Sequence, residues 1–122
     1  MELDEQLYQN WLLQLQTWAA NGRLFSAGVD ALRLKPGQAT DQLKRVANRL
    51  AKGETRDLPP IEVLPGSAMP GAAGAYASGN NTIYLNANWL GSASRAQVIA
   101  VLNEELGHHL DAQLNNDDTA GD

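Results

Sequence analysis

Residues 98–115, VIAVLNEELGHHLDAQLN, form the longest uninterrupted helical pattern in the chain, and they carry both of its histidines. At about 100° per residue, Ile99, Leu102, Leu106 and Leu110 line one side of such a helix. Glu104, His108 and Asp111 line nearly the opposite side. One face therefore has to be buried while the other presents two carboxylates and an imidazole. The rest of the chain must supply the packing for the first face and the walls of a cleft for the second.

The upstream segments read as that supply. Leu3, Leu7, Trp11, Leu15 and Trp18 recur at spacings of four and three, with Leu12 and Leu13 widening the apolar side, so an amphipathic helix is expected up to Asn21-Gly22. Two of the three tryptophans lie in it, which marks a core-sealing helix, with a partner-binding or prodomain-like helix as the alternative. Residues 23–34 predict a short helix interrupted near Gly28, and Pro36-Gly37 a turn. Residues 38–52 predict a further helix with Leu43, Val46, Ala47 and Leu50 inward, stopped by Gly53. Its Lys44, Arg45, Arg49 and Lys52 form a basic patch best read as a solvated face near a helix C-terminus.

After a linker, residues 61–64 read as a short strand bounded by Pro60 and Pro65. The small-residue stretch 65–74 reads as an irregular loop. It lacks the lysine that a phosphate-binding loop requires after its last glycine. Residues 75–77, 78–81 and 82–86 read as strand, turn and strand, with Ile83 and Leu85 on one side and Thr82, Tyr84 and Asn86 on the other. Trp89-Leu90 leads toward the last helix, for which Ser92 or Ser94 is the cap; Ser94 and Gln97 have capping-box spacing. The expected fold class is α+β: N-terminal helices, a small sheet with a hairpin, and a long C-terminal helix against which the sheet packs. The chain is expected to be a single domain over residues 1–122, cut short at its C-terminus.

The net charge of −5 argues against nucleic acid and anionic membrane surfaces as partners. No stretch has the length of a bilayer-spanning helix, and the acidic N-terminus lacks the features of a signal peptide. There is no cysteine, so any metal must be held by imidazole and carboxylate.

A helix that offers ligands at i and i+4, with a carboxylate at i+1 turned toward the same opening, is the usual geometry of a hydrolytic zinc site. In the HExxH form two histidines hold the metal and the glutamate takes a proton from its water. This chain reads Glu104-Glu105-Leu106-Gly107-His108. The spacing is kept, and a carboxylate stands in the first ligand position. Carboxylate oxygen binds zinc at a distance similar to imidazole nitrogen, and its charge makes the site more accommodating of Mn²⁺ or Ca²⁺. Glu104 and His108 are the expected ligands and Glu105 the expected general base. Asp111 is a third ligand or an acceptor that orients an imidazole. Asp117, Asp118 and Asp122 are later candidates, and His109 has a supporting or structural role. Gly107 allows close approach of neighbouring chain at a helix cost of about 1 kcal/mol.

With these motifs, GAYASGNNTIYLNANWL followed by VIAVLNEELGHHLDAQLN resembles the core of zincin-type metallopeptidases. There a hairpin precedes the active helix and an edge strand lines the substrate cleft. The run EELGHHLDAQLN…DTAGD looks like a module of large bacterial secreted or surface proteins that also bear calcium-binding repeats. The resemblance covers residues 60–122 well and the N-terminal helices loosely. It implies Glu104 and His108 as zinc ligands, Glu105 as the base, a polypeptide substrate with the parent chain itself as one candidate, and a secreted or cell-surface setting within a larger protein. That module ordinarily continues past residue 122 with further acidic residues, which implies a third ligand beyond this end; separately, the abrupt end at Asp122 raises the expectation that the module releases itself or its neighbours by cleavage there.

The leading expectation is metal-dependent peptide-bond hydrolysis, with Tyr76 or Tyr84 as secondary candidates for an oxyanion-stabilising phenol. The alternative is a non-catalytic module of the same fold that binds calcium or a protein partner. A third reading is a structural domain that offers Trp11 and Trp18 to a partner.

Overall fold

The computed structural model describes residues 3–33 and 37–114. The expected elements are present in the expected order. α1 spans Glu5–Ala20, α2 Arg23–Leu32 and α3 Gln38–Ala51. β1 (Ile61–Leu64), a 3-10 turn (Gly66–Ala68), β2 (Gly74–Ala77) and β3 (Thr82–Asn86) follow, then α4 (Ala87–Leu90) and the long α5 (Arg95–Leu114). This is the α+β arrangement of N-terminal helices, a small sheet with a hairpin and a long last helix. No helix among the described residues is long and apolar enough to cross a membrane.

The chain divides into two compact units, residues 1–8 with 58–109 and residues 9–57 with 110–122. In the second unit, Trp11, Leu15, Leu43, Ala47 and Leu50 are buried, as their helical spacing demands. Leu43 and Leu114 form a cluster with Leu24, Phe25, Val29, Leu32 and Leu110. Two local expectations change here. α2 runs through Gly28 without a break. A Cβ there would stand 2.8 Å from Leu43 Cδ2, so the glycine serves close helix packing and does not interrupt the helix. Arg49 also leaves the solvated basic face: its guanidinium donates Nε to Asp57 at 2.7 Å and a second nitrogen at 2.9 Å, a two-pronged pair.

In the first unit the strand order is β1-β3-β2, with β1 parallel and β2 antiparallel to the central β3. Ile83 and Leu85 are fully buried. The register sets Ile61 and Val63 on one side of them and Tyr76 and Gly74 on the other, so these six residues share a face. Four residues, 78–81, close the hairpin, with Asn81 in the left-handed region at φ 53°. That conformation is tolerated by asparagine better than by most residues. Asn86 then joins two pieces: its amide nitrogen donates to the carbonyls of Met69 and Ala72, and its oxygen accepts from the N–H groups of Asn88 and Trp89, capping α4.

α5 starts with the anticipated capping box. The Ser94 hydroxyl accepts from Gln97 N–H at 3.1 Å, and the Gln97 side chain accepts from Ser94 N–H at 2.8 Å. Val98, Leu102 and Leu106 form its buried stripe within this unit.

Candidate metal centre

Glu104 and His108 are exposed and lie one turn apart on α5, while Glu105 is 6% exposed. One ligand atom from each of Glu104, Glu105 and His108 lies within 4.8 Å of the others. The i, i+4 spacing of Glu104 and His108 puts them on one ridge of the helix. Glu105 is about 100° round from Glu104, at the border between the solvent side and the buried stripe. The three donors therefore straddle that border. Two carboxylate oxygens and an imidazole nitrogen form a donor set that suits a divalent cation.

The border is occupied by β2. A Cβ on Gly74 would stand 2.6 Å from Val101 Cγ1. The Tyr76 ring meets the His109 ring edge-on at a centroid distance of 5.4 Å. Nδ1 of His109 lies 3.1 Å from the Tyr76 hydroxyl, which donates to the Asn81 side-chain oxygen at 2.7 Å. With the phenol hydrogen committed to Asn81, Nδ1 is the donor in the pair with His109. This geometry gives His109, buried at 5% exposure, a structural place beside the centre. The Tyr76 phenol is engaged by the hairpin turn and α5, and the Tyr84 phenol accepts from Asn80 at 2.6 Å.

Burial pushes the Glu105 carboxyl above its ordinary value. His108 pulls it down, Glu104 pushes it up again, and the Tyr76 backbone N–H, which faces the carboxylate, pulls it down. A carboxylate raised toward neutrality is a better proton acceptor than an exposed one.

Among the sequence candidates, Glu104, Glu105 and His108 are brought together. Asp111 is exposed on α5 and is not one of these three donors. Asp117, Asp118 and Asp122 lie outside the described residues. The Tyr76–His109 and Gly74–Val101 contacts were not visible in the spacing of the sequence. The one available signal was Gly74 itself, next to the expected strand 75–77, since a glycine in or beside a strand can mark close approach of another segment.

No protein-family model, curated protein or solved structure matches this chain.

Proposed function

We propose that the chain carries a divalent-metal centre that hydrolyses peptide bonds, with Glu104 and His108 as ligands and Glu105 as general base. The observation that supports it is the convergence of Glu104, Glu105 and His108 donor atoms within 4.8 Å on a single stretch of α5. A zinc ion there would supply Lewis acidity toward the scissile carbonyl and toward the attacking water. Glu104 and His108 would hold the ion from the exposed ridge. Glu105, shielded from bulk solvent, takes a proton from the attacking water and returns it to the leaving amine. Processing of the parent chain, in a secreted or surface setting, belongs to the same proposal.

Two of the three donors are carboxylates, which also favours a second reading, a non-catalytic calcium site. Elemental analysis separates the two. After chelation and reloading, wild-type protein is expected to hold one zinc per chain and His108→Ala none. An unstructured peptide is expected to be cleaved by wild type and left intact by Glu105→Gln. Calcium retention without zinc selects the second reading, and cleavage that survives Glu105→Gln removes Glu105 from the role of base. For self-processing, the readout is the intact mass of a chain extended beyond residue 122: identical masses for wild type and Glu105→Gln end that part of the proposal.

A further inference from the structure

Val101, Glu105 and His109 recur every four residues and form one ridge of α5. β2, which pairs with β3 on one side only among the described strands, runs along this ridge. Gly74 meets Val101 at its start, and Tyr76 meets His109 two residues on. The ladder decides which backbone groups of β2 face the helix. Asn86 N–H donates to Ala73 O at 2.9 Å, so in the alternation of an antiparallel pair the 75–84 and 77–82 positions exchange hydrogen bonds. The N–H of Tyr76, paired with Ile83 between them, points out of the sheet edge. It is this outward amide that faces the Glu105 carboxylate. At the other end of the residue, the hydroxyl is held by Asn81 at 2.7 Å and by His109 Nδ1 at 3.1 Å. One residue thus meets α5 at two successive turns, with its backbone toward Glu105 and its side chain on His109.

We propose that Tyr76 is the positioning residue of this centre: its hydroxyl, bridging Asn81 and His109, pins the edge strand to α5, and the pinned strand aims the Glu105 carboxylate toward the donors of Glu104 and His108. The inference rests on the metal-centre reading for its function, and on hydrogen bonds that exist without metal for its geometry.

Tyr76→Phe tests it, because phenylalanine keeps the ring contact and the backbone amide and removes only the hydroxyl. Two readouts are needed. In metal-free protein, amide hydrogen exchange at position 76 is expected to quicken about tenfold in the variant. The Ile83 amide, which donates to Pro60 O inside the sheet, is the internal reference and is expected to stay within about twofold. Equal acceleration at both amides makes the hydroxyl a contributor to general stability and overturns the proposal. No acceleration at position 76 overturns it as well. In the second readout, the zinc dissociation constant of Tyr76→Phe is expected to rise about tenfold at one zinc per chain, measured well below the melting temperature. An unchanged constant overturns the positioning role. If wild type takes up no zinc, the metal-centre reading fails, and the exchange readout alone decides whether Tyr76 pins the strand.

Discussion

Gly74 and Val101 approach so closely that a Cβ on the glycine would stand 2.6 Å from Val101 Cγ1 and 3.3 Å from the Tyr84 carbonyl oxygen. The edge strand therefore lies against α5 with no room for a side chain between them. This contact, together with the Tyr76 hydroxyl, sets the wall of the candidate centre.

Gly74→Ala is accordingly expected to destabilise the protein by about 1–3 kcal/mol through overpacking. Adding Val101→Ala removes the nearest obstructing atom. The double variant is expected to be more stable than the sum of the two single effects, by about 0.5–3 kcal/mol of coupling. Urea or thermal melts of the four proteins check this; strict additivity means that the strand and helix separate to admit the methyl.

Glu105 links the site to pH. Its folded-state pKa lies above the ordinary carboxylate value, chiefly because it is buried. The folded state therefore binds the proton more tightly than the unfolded state. The stability this contributes is fully present below the unfolded pKa and is lost as pH rises through the folded one. Glu105→Gln carries no such charge. In the presence of chelator it is expected to melt a few degrees above wild type near neutral pH, with the gap closing in acid below the ordinary carboxylate range. Melting curves across that range check the sign; a gap that widens in acid contradicts it.

The Ser94–Gln97 box fixes where α5 starts. Ser94→Ala removes one acceptor from the first turn and is expected to cost about 1 kcal/mol. Zinc stoichiometry should be unaffected, because Glu104 lies more than two turns downstream. Chemical denaturation and metal analysis of the same sample test both halves.

The sequence determined a good deal by itself. The spacing of Leu7, Trp11 and Leu15, of Leu43, Ala47 and Leu50, and of Leu102 and Leu106 was sufficient to place the helices and their buried sides, since a 3.6-residue period is a local property. The capping box was legible for the same reason, as were the strands around Ile83 and Leu85 and the shared face of Glu104 and His108. Gly28 was misleading because a glycine inside a helix looks the same whether it breaks the helix or admits a neighbour. Leu43, which decides between the two, lies on another helix.

Only the tertiary structure decided what became of Glu105 and His109. Both stand at the edge of the helix wheel, where the periodicity assigns neither burial nor exposure. What buries them is β2, with Tyr76 reaching His109 across 33 residues of chain. The physical reason is range. Helical spacing is set by bonds between residues four apart, whereas the neighbour that desolvates a carboxylate and fixes an imidazole is chosen by the packing of segments far apart in sequence.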